Sequence, residues 1–234
     1  MKSVLVSILV AAVLAGAGAL IMVILFSTNP NSPNSVPGAP PGVGAATSAE
    51  DENPYADFQI PEFSLVDQNG QSVTHEALEG EVTVLDFFFT TCPGPCPGMT
   101  AQMQHIQSQT EGSGVRLMSI SVDGDNDTPE VLRAYAQQAS ADPSRWTFLT
   151  GDPALVAEIV QQGLRFELSP TPDSPIYDAN GAPRIGPSGK PLVNIVHPTR
   201  LFLVGPDRRL LGVFPYNNQD EVEALIERAK KAAG

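Results

Sequence analysis

Residues 82–89 read Val-Thr-Val-Leu-Asp-Phe-Phe-Phe, and the eight that follow read Thr-Thr-Cys-Pro-Gly-Pro-Cys-Pro. The first octet is β-branched and aromatic, with Gly80 on one side and a Pro/Gly cluster on the other, which predicts a short buried strand. Residues 99–109 lack Pro and Gly and set Met99, Met103 and Ile106 at helical spacing. A buried strand therefore has to break sharply into a helix here, and whatever the chain folds into must supply neighbours for that strand and a crossover for that helix. Pro93, Pro95 and Pro97 stiffen the turn, and Pro97 suits the first turn of a helix, where a missing N–H costs little.

This turn carries Cys92 and Cys96, the two cysteines of the sequence. At a helix start, unpaired N–H groups and the helix dipole favour thiolate over thiol. A separation of four places both sulfurs on one helix face, about 6 Å apart along the axis in a regular helix. That is near enough for a strained disulfide, and equally for one ion held between two sulfurs. A purely structural disulfide is the weaker reading, because so short a loop gains little from crosslinking. A redox-active dithiol and a metal site both stay open on spacing alone.

Elsewhere the pattern is alternating. A hairpin with a Gly-containing turn at residues 67–70 precedes the central strand. A second central strand is expected over residues 115–122, running into Asp123-Gly124-Asp125-Asn126-Asp127-Thr128-Pro129-Glu130. Thr128 or Asp127 is expected to cap the next helix, with Pro129 in its first turn, and Asp127 reads as a helix cap rather than a calcium ligand. A short strand from Trp146, a helix opened by Asp152, a hairpin over residues 200–214 and a last helix near residues 219–231 complete the order. Residues 166–193 read as a long loop of Pro and Gly turns, and a loop of that length in a compact domain is more often functional than idle. Strands alternating with helices, closed by a hairpin and helix, predict an α/β fold with a mixed central sheet covered on both faces.

The three histidines are His75, His105 and His197. His75 follows the first hairpin and is expected to be solvated, and His105 lies more than two turns beyond Cys96, so helix geometry carries it away. Met99, Met103 and Met118 are expected in the core. Asp123, Asp125 and Asp127 resemble the start of a calcium loop, but Thr128 and Ala134 stand where that loop needs Gly and Glu.

The N-terminal fifty residues differ in kind. Residues 4–26 are uncharged and long enough to cross a hydrocarbon core of about 30 Å. Lys2 precedes them and the next basic residue is Arg116, so the positive-inside rule leaves the N-terminus in the cytoplasm and the rest outside. A cleaved signal peptide, with Ala15-Gly16-Ala17 at the cleavage site, is the rival reading. Residues 27–54 are rich in Pro, Asn, Ser and Gly and read as a tether, leaving 55–234 as the one domain. Both readings put the domain in the periplasm or another extracytoplasmic space, where an isolated dithiol oxidises unless it is reduced or metal-filled. A formal charge of −13 argues against nucleic acid as a partner.

From Phe58 onward the chain resembles the Sco/SenC family of thioredoxin-like copper proteins that help assemble cytochrome c oxidase. The resemblance rests on Phe88-Phe89-Thr90-Thr91-Cys92-Pro93-Gly94-Pro95-Cys96-Pro97, on Ser121-Val122-Asp123 with Asp127-Thr128-Pro129-Glu130-Val131-Leu132, and on His197 followed by Leu201-Phe202-Leu203-Val204-Gly205-Pro206-Asp207. It implies a thioredoxin-like fold and a membrane-tethered copper chaperone. It also implies copper ligands Cys92, Cys96 and His197, with Asp123 as a supporting or partner-contacting group and copper as Cu(I) or Cu(II). The implied partner is the copper-bearing subunit of the oxidase or another copper chaperone. Two thiolates and an imidazole are a soft set that suits copper, whereas zinc usually wants a fourth ligand. The alternative is an extracytoplasmic thiol–disulfide oxidoreductase that reduces the acceptor's cysteines, with Cys92 and Cys96 as its redox-active thiols. A peroxidase is a third reading, weakened by Phe89 where peroxiredoxins carry Thr or Ser. The family usually carries Ser or Thr after the histidine, whereas this chain has Pro198. His197-Pro198-Thr199 resembles the Pro-Thr of thioredoxins, where the preceding peptide is cis, so a cis His197–Pro198 bond is expected.

Overall fold

The computed structural model describes residues 53–234. The proposed anchor at 1–26 and all but the last two residues of the tether lie outside the described residues. Among the described residues no helix is long and apolar enough to cross a membrane.

The chain opens with a hairpin, β1 (Ser64–Asp67) and β2 (Ser72–Thr74), and a 3-10 turn (His75–Leu78). The central β3 (Thr83–Phe88) leads to α1 (Cys96–Gln109), β4 (Arg116–Ser121), α2 (Pro129–Gln138) and β5 (Trp146–Thr150). A short α3 (Pro153–Ala157) continues as a π-helical turn (Glu158–Gly163). Then come β6 (Ser169–Pro175), β7 (Val193–Val196), β8 (Arg200–Val204), β9 (Leu210–Pro215) and α4 (Gln219–Ala233). Seven strands form one sheet in the order β2-β1-β5-β4-β3-β8-β9. Strands β3, β4 and β5 run parallel and all other pairings of this sheet are antiparallel, so the predicted mixed sheet is present.

Strand β3 is buried at all six positions, as its composition demands of a strand with neighbours on both edges and cover on both faces. Phe88 packs on Tyr135 of α2 (ring centroids 5.0 Å apart) and on Phe148 (5.7 Å). Phe87 points the opposite way and packs on Phe202 (5.8 Å), which Phe166 covers in turn (5.4 Å). On the first face α1 buries Cys96, Met99, Met103 and Ile106 and is tied to α2 by the Thr100–Tyr135 hydroxyl pair at 2.7 Å. The methionines are core residues, as their spacing predicts.

Helix starts follow their capping chemistry. Thr128 Oγ1 accepts from Val131 N–H and Asp152 Oδ1 from Ala154 N–H (2.8 Å), each with Pro in the first turn. Thr128, not Asp127, is thus the cap of α2. Asp127 is drawn instead into bonds with the cysteine loop described below.

The predicted long loop is an inserted unit. Strands β6 and β7 form a separate two-stranded sheet, and β6 tolerates Pro170, Pro172 and Pro175 because this small ribbon leaves each strand with an unpaired edge. Beyond β6 the chain is organised by short turns: Ile176 N–H donates to Leu192 O (2.9 Å) and Arg184 N–H to Ile176 O (2.8 Å). Ile176 and Leu192 are buried beneath them.

At the opposite end of the sheet the described chain begins. Asn53 Nδ2 donates to Leu210 O (2.6 Å) and Leu210 N–H to Phe58 O (3.0 Å). Leu210 pairs with Val204, which pairs with Thr83, the first residue of β3. The entry point and the cysteines therefore occupy opposite ends of the strands.

Candidate metal centre

Beyond Phe88 the chain leaves the sheet, and its first act is to bond to Asp127. Thr90 N–H donates to Asp127 Oδ2 (3.0 Å), Thr90 Oγ1 donates to Oδ1, and Ser121 Oγ at the end of β4 donates to Oδ2 (2.5 Å). Asp127 has no exposed surface. Burial raises its pKa, opposed by the bonds from Ser121 and Thr90. The carboxylate thereby ties Thr90, two residues before Cys92, to the end of β4.

Cys92 N–H donates to Phe89 O (3.2 Å), and Cys96 opens α1 with Pro97 behind it. His197 arrives from β7, 101 residues after Cys96, and its Nε2 lies 3.4 Å from Cys96 Sγ. The ring stands edge-on against Phe89 (5.6 Å between centroids, 85°). Nδ1 lies 3.1 Å from Pro198 O, so in the neutral ring Nδ1–H donates there and Nε2 presents its lone pair to the sulfurs. The ligand atoms of Cys92, Cys96 and His197 all lie within 4.8 Å of one another. One metal ion about 2.3 Å from sulfur and about 2.0 Å from nitrogen needs ligand atoms about 3.5–4.5 Å apart, so the three fit one ion with small adjustment. The cysteines are free thiols in this arrangement.

The peptide before Pro198 is trans; there is no cis peptide bond among the described residues. The cis expectation is therefore overturned. The direction of β7 and the contact with Phe89 already bring the imidazole over the cysteines, so no reversal at Pro198 is required.

The two thiols are inequivalent. The Cys92 thiol is pushed well below the ordinary range, first by the hydrogen bond from Cys96 and then by the N–H groups of Cys96 and Gly94, against the opposing cost of burial. Cys96 is pushed up, first because it is the donor in that bond, then by burial and by the charges of Cys92 and Asp86.

Asp123 is buried, and both its carboxylate oxygens accept from Asn126 Nδ2 (2.8 and 3.1 Å). It makes no hydrogen bond to Cys92, Cys96 or His197. Burial raises its pKa to about 6, opposed by the Asn126 bond and reinforced by Asp127 and Asp125. His105 lies outside the site, bonded to Glu223 (2.8 Å), and half-buried His75 packs against Phe63 (6.4 Å).

Asp86 also belongs to this neighbourhood, and its signal in the sequence is an acid inside an apolar strand run. It is 1% exposed, pairs across the sheet with Ser119, and leaves Oδ1 without a hydrogen-bond partner. Burial raises its pKa from 3.8 to about 6, opposed by the Ser119 bond and the His197 charge. Because the folded-state value lies above the unfolded one, this group stabilises the fold relative to its charged form at low pH. That contribution is lost as pH rises from about 4 to about 6 and stays lost above. Asp86→Asn is therefore expected to gain roughly 2 kcal/mol at pH 7 and to flatten the stability profile between pH 4 and 6. Urea unfolding at several pH values tests this, and an unchanged slope across that window would contradict it.

The comparisons with known proteins agree with this architecture. The SCO1/SenC family model matches residues 51–234. The SCO1 protein homolog of Bacillus subtilis (strain 168) is 28% identical over 179 residues, spanning 75% of this chain and 83% of the relative. BsSco is described as a member of the Sco family of cytochrome c oxidase assembly proteins in which a disulfide switch was identified. Its structure is 28% identical, with a TM-score of 0.58 over 75% of this chain and 94% of its own. Bradyrhizobium japonicum ScoI with copper bound is 25% identical, with a TM-score of 0.56 over 74% of this chain and 98% of its own. The fold is thioredoxin-like, and with the family model covering the whole described domain, this chain belongs to the SCO1/SenC family.

Proposed function

We propose that this protein is a copper chaperone that carries copper on Cys92, Cys96 and His197 and hands it to a copper site of cytochrome c oxidase. The observation that carries the reading is the convergence of two sulfurs and an imidazole nitrogen, from segments far apart in sequence, within 4.8 Å. Copper is the cargo. Thiolates favour Cu(I), and imidazole suits either oxidation state. The copper-bound ScoI structure and the family's association with oxidase assembly support the choice of metal and of acceptor class. The acceptor is the copper-bearing oxidase subunit or a further copper chaperone. It would meet the protein at the inserted unit, where Tyr177 (56%) and Ile185 (59%) are exposed and Val196 adjoins His197. Residues 1–26 are proposed to anchor the chain, with the domain on the extracytoplasmic side.

Anaerobic loading with Cu(I) followed by thiol counting tests the reading. One copper per chain is expected, with both thiols protected from alkylation until a chelator removes the metal. Bound copper with two freely alkylated thiols, or no copper retained, would overturn it.

The two free thiols, held within 4.8 Å of each other, favour a second reading, reduction of the acceptor's cysteines. The Cys92 thiolate would attack an acceptor disulfide, forming a mixed disulfide and expelling one acceptor thiolate. Cys96, giving up its proton, would then attack Cys92 sulfur, leaving a Cys92–Cys96 disulfide and a reduced acceptor dithiol. The disulfide switch described for BsSco is consistent with such chemistry. Rapid insulin reduction by the metal-free protein would favour this reading over carriage.

A further inference from the structure

The ligand set has two halves with different supports. The cysteine half hangs on Asp127 through Thr90. The histidine half is the last residue of the inserted unit, and that unit meets the rest of the domain at the same turn, one residue away. Asn126 makes the contact at that turn. Its Nδ2 is held by both oxygens of buried Asp123 (2.8 and 3.1 Å), and its N–H donates to Asp123 O (3.0 Å), so the side chain has one orientation. Its Oδ1 then faces the insert and accepts from Ser188 Oγ (3.2 Å). Gly186 closes over the same oxygen so tightly that a Cβ there would lie 2.1 Å from Asn126 Oδ1 and 2.7 Å from Leu192 Cδ2. Leu192 is 4% exposed and leads directly into β7, whose next residue is His197.

We propose that Asn126 is a positioning residue for His197: its amide clasps the inserted unit to the turn that also holds the cysteine loop, and so keeps the imidazole in register with the two sulfurs. This rests on the metal-site reading above. Asn126 touches no ligand; it acts through the insert. A ligand on a free strand would sample positions away from the sulfurs, and the fraction of time out of place appears as lost affinity. Groups that orient ligands in this way typically contribute about 10–100-fold in metal affinity. The sequence gives a matching sign: the insert carries glycine where a side chain would collide with Asn126, so the contact is close on both sides.

The test is a double-mutant cycle on the full domain, reading Cu(I) affinity by chelator competition. Asn126→Ala is expected to weaken copper binding about tenfold in the parent. In a His197→Ala background it should weaken it no further, because the ligand it positions is gone. Hydrogen exchange over residues 176–196 should quicken in Asn126→Ala, and Gly186→Ala, approached from the other side of the contact, should do the same. An equal loss in both backgrounds would mean a general structural effect and overturn the proposal. So would parental affinity in Asn126→Ala while His197→Ala loses copper. If His197→Ala itself binds copper like the parent, the metal-site reading fails and the positioning role falls with it, whatever exchange shows.

Discussion

His197→Ala should bind copper more than about a hundredfold more weakly than the parent, and Cys92→Ser or Cys96→Ser should lose it more completely. A serine hydroxyl stays protonated at neutral pH and is a hard donor, so either cysteine replacement removes both a negative charge and a soft atom from the site. Removing the imidazole leaves two thiolates, a set still able to hold Cu(I) but poorly suited to Cu(II). The three variants therefore separate by oxidation state. With Cu(II), thiolate-to-copper absorption should vanish in both cysteine variants and collapse in His197→Ala. With Cu(I), His197→Ala should retain weak binding by chelator competition. Parental affinity in any one of the three would remove that residue from the ligand set.

Asp127→Ala is expected to destabilise the domain by about 3–5 kcal/mol. The carboxylate accepts from Thr90 N–H, Thr90 Oγ1 and Ser121 Oγ in a place with no solvent access. Deleting it leaves those donors buried without partners, and each such group costs about 1–3 kcal/mol. Asp127→Asn should cost less, because an amide oxygen still accepts from one side while its NH2 opposes a donor on the other. The loss should also fall on the metal site. Thr90 is two residues before Cys92, so alkylation of the thiols in the folded variant should quicken even under conditions where it remains fully folded. Denaturant unfolding gives the first effect and native-state alkylation the second. A variant as stable as the parent would show that water replaces the carboxylate.

Much of this was readable from residues. The strand that ends at Phe88, the helix that begins at Cys96, the Thr128 and Asp152 caps and the closing hairpin follow from patterning and local chemistry, which act over a few residues. Three things did not follow, each for a non-local reason. Residues 169–175, with prolines at 170, 172 and 175, read as loop and became strand because an unpaired edge places no demand on the missing N–H groups. Asp127 read as a helix cap, but a donor 37 residues upstream competed for its carboxylate. Asp86 sat in plain view in an apolar octet, yet its unpaired oxygen depends on what β4 and α1 place above it. The proximity of His197 to the sulfurs was implied only by family resemblance; no periodicity spans 101 residues.

The bond from Asn53 to Leu210 has a practical corollary. Chain upstream of residue 53 joins the domain at the foot of the sheet, and six residues of β3, about 20 Å of strand, separate that foot from the turn bearing the thiols. A group coupled to the domain at residue 53 therefore sits at the far end of the strands from the two thiols. Immobilisation through the N-terminus should then leave exchange with a soluble acceptor unhindered, whereas coupling through the insert should block it.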